Sequence, residues 1–239
     1  TVGGATQPST APVIPIRVHA TIPQDYIISA QGKADVAARF VEKIKTNLAT
    51  VGNPLDAAEL QAIDSLPECL RGELDSKAFS SAETLAGAKR CSSDAVAALC
   101  RACSLVQPDF QMHVAFLLRL AVLLHPTTPD EATNLPVPLP AAQLNASLAM
   151  ADSDPPPPLT LLVMLMCTVS NLCSTLAGRQ YLFGHGDGTA SCPTKPLDLA
   201  LHGMASDQLQ QRVLAATLLY NVALAHTRKQ ADGSHRWEV

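Results

Sequence analysis

From Lys33 onward the apolar positions recur at helical rather than strand spacing. Val36, Phe40, Val41, Ile44 and Leu48 fall three and four apart, which predicts a first helix that stops at Gly52-Asn53-Pro54. Asp56 is placed to cap a second helix over 57–66, whose face carries Leu60, Ile63 and Leu66 before Pro67. A short helix is expected from about Ser81, and another over 95–105 behind the capping run Ser92-Ser93-Asp94. Next comes a longer element over 109–125, in which VAFLLRLAVLL (114–124) is apolar except for Arg119. A helix that is apolar on every side is packed on every side, so this one belongs at the centre of a stack. Helices over 141–149, 159–176, 197–202 and 208–226 complete the pattern. Residues 1–15 are rich in Gly, Pro, Ser and Thr without periodicity, as in a linker or extended arm. Residues 16–28 mix β-branched side chains with Pro23 and are expected to run extended along the first helices.

Three central helices share a design, nearly all apolar with one polar residue in the middle: Arg119, Asn171 and Asn221. Their separations are 52 and 50 residues. Armadillo and HEAT repeats run to roughly 40–47 residues, so the spacing predicts an all-α, armadillo-like α-solenoid whose repeats carry loop insertions. The largest insertion, 126–158, holds nine of the 18 prolines. Its tetrad Pro155 to Pro158 is expected to be a stiff polyproline II lead-in, read as a spacer in preference to a ligand for a proline-binding module. In a stack of this kind one helix per repeat lines a groove, where an amide at mid-helix pairs with both N–H and C=O of an extended peptide. A guanidinium on the same wall would recruit a carboxylate through paired hydrogen bonds. The alternative for Asn171 and Asn221 is to satisfy loose backbone groups between neighbouring helices. For Arg119 it is an internal carboxylate partner, or a head group extended to water.

Composition narrows the functional classes. The chain of 239 residues is 47% hydrophobic and 16% charged, against about 25% charged for an average soluble domain, and the apolar surplus supports a large core. A net charge of −4, with no run of three basic residues, gives no footprint for a phosphate backbone. The uncharged stretch 155–178 is interrupted by prolines and polar residues, which predicts a buried helix and not a membrane span. The chain begins at Thr1 with no leader pattern, which suggests a piece of a longer protein. Seven cysteines, an odd number, are expected to be reduced. Cys100 and Cys103 have CxxC spacing, but no second ligand pair completes a zinc site, so no metal or cofactor is assigned. The loop 185–189 (HGDGT) lacks the spacings of a phosphate cradle. No GxSxG, HExxH or paired-carboxylate motif is present, and the seven histidines are dispersed. A thiol dyad of His125 with a cysteine is the remaining catalytic option, set aside because the cysteines lie in apolar helices. The chain is therefore not expected to be an enzyme.

The string 163–183 (VMLMCTVSNLCSTLAGRQYLF) resembles the PUL domain, as does the helix in 213–226 (VLAATLLYNVALAH). FLLRLAVLLHP (116–126) is similar to the PUL helix whose Arg precedes a His-Pro. Asp56 to Leu66 matches an early acid-capped helix, and Ile14-Pro15 the domain's opening. The resemblance covers about residues 14–226, making 16–239 one PUL-like domain. PUL domains occur in phospholipase A2-activating-protein-like ubiquitin adaptors and in some proteins with a PPPDE peptidase or thioredoxin-like domain. The resemblance implies an armadillo-like fold that binds the acidic C-terminal tail of the AAA ATPase valosin-containing protein. By position, Arg119 would take a carboxylate of that tail, and Asn171 and Asn221 would hold its backbone. It further implies a ubiquitin-handling role in the cytoplasm and nucleus. Two departures stand out: the Pro-rich insertion is long, and Ser234 to Val239 reads like the opening of a further repeat, as in a truncated stack. A scaffold role, with the groove filled by another part of the parent protein, is the alternative.

Overall fold

The computed structural model describes residues 27–28, 34–52, 54–70, 80–81, 89–126, 137–184 and 196–231, with side chains to 225 in the last stretch. The loop 185–189 lies outside them, as does the arm 1–15. Among the described residues the chain is all-α apart from one two-residue strand pair.

Helix α1 (Ala34–Thr50) buries Ala37, Val41, Ile44 and Leu48, the stripe expected from the sequence shifted from Val36 to Ala37. It ends at Gly52, whose φ of +91° is a left-handed conformation open to glycine at little cost. Helix α2 (Ala57–Asp64) begins with a full capping box, Glu59 N donating to Asp56 Oδ1 and Asp56 N to Glu59 Oε2, both at 2.9 Å. Such a cap is worth about 1 kcal/mol. The expected helix 57–66 is two pieces, because Ser65 closes α2 and Pro67 sits in the first turn of a short α3 (Leu66–Cys69). There its missing N–H leaves nothing unsatisfied.

Before α4 (Ala95–Leu105) the capping differs from expectation. Asp94 caps with no side-chain bond; instead Ser92 Oγ accepts from Asp94 N at 3.2 Å. Helix α5 (Pro108–Leu124) starts on Pro108 and, as its sequence predicts, is buried from Val114 to Leu124 except at Phe116. The segment before α4 closes its far end: Cys91 N donates to Leu124 O at 2.9 Å and Arg90 Nη1 to Leu123 O at 3.0 Å. Carbonyls of a last helical turn lack intrahelical partners, so these bonds answer a real deficit.

Helix α6 (Ala141–Leu148) lies within the insertion, and α7 (Leu159–Ser174) buries 12 of its residues. The expected single helix 159–176 breaks at Thr175, which is extended. Thr175 Oγ1 accepts from Gly178 N at 3.1 Å, capping α8 (Leu176–Phe183) at 109° to α7. Gly178 allows this corner, since a Cβ there would run into the Leu172 carbonyl and Thr175 Oγ1. Helices α9 (Pro196–Met204) and α10 (Leu209–Ala231) are longer than the pattern suggested. No single described helix is long and apolar enough to cross a membrane.

The long helices pack in chain order, α1 on α5, α5 on α7, α7 on α10. A second layer runs from α2 to α4 to α6, continued by the Tyr181 hydroxyl of α8 donating to Asn145 Oδ1 of α6, while α9 packs chiefly on α10. Neighbour-on-neighbour packing of this kind is how a helical repeat array buries its core.

The strand pair bears on two expectations. β1 (Ile27–Ile28) pairs antiparallel with β2 (Ser80–Ser81), Ile27 opposite Ser81, and lies against α7; the rest of the segment expected to run along the first helices, 16–26, lies outside the described residues. Ser81 itself is in a strand, and the short helix expected to follow it falls on 82–88, outside the described residues. An apolar helix enclosed by α5, α10 and α8 offers one more apolar surface, and this strand covers part of it.

Candidate peptide-binding face

Each pair of adjacent long helices is bridged by one asparagine. Asn171 of α7 donates from Nδ2 to Arg119 O of α5 at 2.7 Å. Asn221 of α10 donates to Ser170 of α7, at 3.2 Å to its carbonyl and 2.8 Å to its hydroxyl. At the other end Asn47 of α1 accepts from Gln107 N, at the start of α5, at 3.0 Å. Asn171 and Asn221 are 0% exposed and Asn47 is 4%. The recurring amide therefore registers helix against helix, Asn171 and Asn221 by donating from Nδ2 and Asn47 by accepting at Oδ1. Buried amides left unbonded cost about 1–3 kcal/mol each, so these bonds fix the spacing of the layer.

Arg119 joins the same chain of contacts through its carbonyl. Its side chain is 3% exposed, with the guanidinium carbon 4.4 Å from the centre of the Phe116 ring. Burial pushes its pKa down to about 10, against a smaller pull from Cys167, which leaves it charged at neutral pH. The structure thus brings all three expected residues into one layer, each of them inside it.

An accessible aromatic part of this layer lies at its α1–α5 end, where sequence reading had assigned no site. Phe110, His113, Phe116 and Arg119 recur every third residue along α5. Phe40 of α1 meets His113 edge-on at 4.6 Å and Phe116 at 4.9 Å between ring centres. Phe110 and His113 lie 5.8 Å apart. The three phenylalanines and His113 are half-buried, and Lys43 beside them is exposed. Lys43 Nζ sits 3.5 Å from His113 Nε2 and 5.8 Å from the Phe40 ring centre.

Charge adds to this spot. Arg39 pairs with Asp35 at 3.6 Å, Lys45 with Asp64 at 3.0 Å, and Arg101 with Glu59, whereas Lys43 pairs with no carboxylate among the described residues. Partial burial holds the His113 pKa below its ordinary value; the Lys43 charge adds to the effect and the Phe110 backbone opposes it. An ammonium and an imidazole edge thus converge over an aromatic floor. The i, i+3 recurrence was visible in the sequence but was masked by the apolar run that overlaps it.

The catalytic and metal options gain no geometry. Burial pushes the thiols of Cys91, Cys103 and Cys173 up to about 12 and that of Cys100 to about 11, far from thiolate formation at neutral pH. His125 is 2% exposed, with Nε2 3.0 Å from the Val137 carbonyl, a bond that ties the returning insertion to the end of α5. Among the described residues no group of three His, Cys, Asp or Glu side chains is placed to hold a metal.

Comparison with protein families supplies the decisive observation, a match of the PUL-domain profile to residues 23–239. The chain belongs to the PUL-domain family. PUL domains are protein-interaction modules, and the all-helical stack of this one agrees with that class. Comparison with curated proteins and with solved structures finds no match.

Proposed function

We propose that this PUL domain docks a ubiquitin-handling protein, in the cytoplasm and nucleus, onto valosin-containing protein by binding the acidic C-terminal tail of that AAA ATPase. The family match over 23–239 carries the reading. In support, the layer α1–α5–α7–α10 holds a buried cation at its centre and, at its α1–α5 end, an accessible cation that pairs with no carboxylate among the described residues. Arg119 contributes positive potential beneath Phe116, and Asn171 and Asn221 act from inside by keeping α7 and α10 in register. A short tail covering about 800 Å² per partner gives micromolar rather than nanomolar affinity. Fluorescence anisotropy with a labelled tail peptide, its free carboxylate intact, tests this against a scrambled control. Saturable binding that weakens with salt is expected for the true tail alone, and equal binding of both peptides sinks the reading.

The strand pair favours a second reading. β1 already lies on α7, as it would if the layer served as a scaffold covered by its own chain. A domain that binds neither tail nor scrambled peptide, yet loses stability when 27–28 are replaced by prolines, would behave this way.

A further inference from the structure

From the cluster on α1 and α5 we infer that Lys43 and His113 form a receptor for a peptide carboxylate that stands beside a large apolar side chain, the latter lying on Phe40, Phe110 and Phe116. This rests on the reading of the domain as a binder of acidic peptides and names the residues that read them.

The geometry supports it on three counts. Lys43 Nζ and His113 Nε2 are 3.5 Å apart, so a carboxylate oxygen lying to one side of the pair, about 2.8 Å from each nitrogen, can accept from the ammonium and, with the ring proton on Nε2, from Nε2–H. Among the described residues Lys43 reaches the imidazole and the Phe40 ring and pairs with no carboxylate, while Arg39 and Lys45 on the same helix are paired. The half-buried rings beside it present edges and faces that a further ring or a leucine can cover, and aromatic pairs favour such edge-to-face packing. Partner chemistry follows from complementarity: an anion for the cations and an apolar group for the rings. Arg119 adds to the potential from behind Phe116, and the acids nearest in sequence are Asp109, one turn before His113 on α5, and Glu42, beside Lys43 on α1 and paired with Lys45.

The test uses the whole chain and fluorescein-labelled acidic decapeptides that differ only in whether Tyr, Leu or Ala stands beside one Asp, with an Asp→Asn version of each. Wild type is expected to prefer the Tyr and Leu peptides over Ala, and Asn in place of Asp to weaken each. Lys43→Met is expected to weaken the Asp peptides about tenfold and leave the Asn peptides unchanged, with Lys43→Arg restoring most of the loss. His113→Gln should give a smaller loss with the same dependence on Asp. Equal losses for Asp and Asn peptides, or no loss, overturn the inference. The tail titration separates the two readings: a tail that binds wild type and Lys43→Met alike retains the proposed function and removes this receptor, whereas a tail that binds neither removes the function as well.

Discussion

Replacing Asn171 by Ala separates an amide that registers helices from one that touches a ligand. The side chain is 0% exposed and its Nδ2 donates to Arg119 O at 2.7 Å. Helix geometry leaves that carbonyl its bond from the residue four positions on, so the Ala variant forfeits at least this one net hydrogen bond, about 1 kcal/mol. Truncating a fully buried side chain in a packed layer adds about 1–2 kcal/mol for the void. The total of about 2–3 kcal/mol corresponds to a fall in Tm of about 4–12 °C for a chain of this size. Thermal unfolding followed by circular dichroism at 222 nm reads it, with exposed Gln143→Ala as the control expected to stay within about 0.5 kcal/mol. Tail affinity, measured well below both transitions, should be nearly unchanged in Asn171→Ala. A Tm equal to that of wild type, or intact stability with lost binding, would refute the account of the asparagine bridges.

Three further outcomes follow from the same contacts. Gly178→Ala should destabilise by at least about 2 kcal/mol, because its Cβ collides with the rigid Leu172 carbonyl, so a Tm like that of wild type would mean that the α7–α8 corner is wrong. The folded chain holds His113 and His125 below their usual 6.5, so the unfolded chain binds more protons as pH drops below 6.5. Stability should therefore fall from pH 6.5 downward, and urea midpoints that stay flat to pH 5 would contradict the burial of both rings. With pKa values near 11–12, Cys91, Cys100, Cys103 and Cys173 should react with a disulfide reagent at pH 8 only on the timescale of unfolding. Their labelling within seconds in native buffer would show that these thiols are not enclosed.

The long helices were readable because burial on every side leaves a plain signature, as at 114–124 and 159–174. The corner at Thr175 was not, since a threonine within an apolar run reads equally as helix interior and as cap, and the close approach of Gly178 to Leu172 decides between them. The strand pair escaped notice because two residues carry no periodicity and their partner is far along the chain. For the site, the sequence showed the recurrence of Arg119, Asn171 and Asn221 but not the direction of their side chains. An amide bonded to a neighbouring helix and one bonded to a ligand occupy the same position in a repeat, and only the tertiary packing distinguishes them. Lys43 and His113 lie on different helices, so their convergence is a product of α1 meeting α5.

The central claim is that an acidic tail is read at the α1–α5 end of the long-helix layer. Amide hydrogen exchange with and without a saturating tail peptide of valosin-containing protein tests it most directly. New protection is expected in α1 around Phe40 and Lys43 and in the first half of α5. Protection confined to α9 and α10, or none with the peptide shown to be bound, would contradict it.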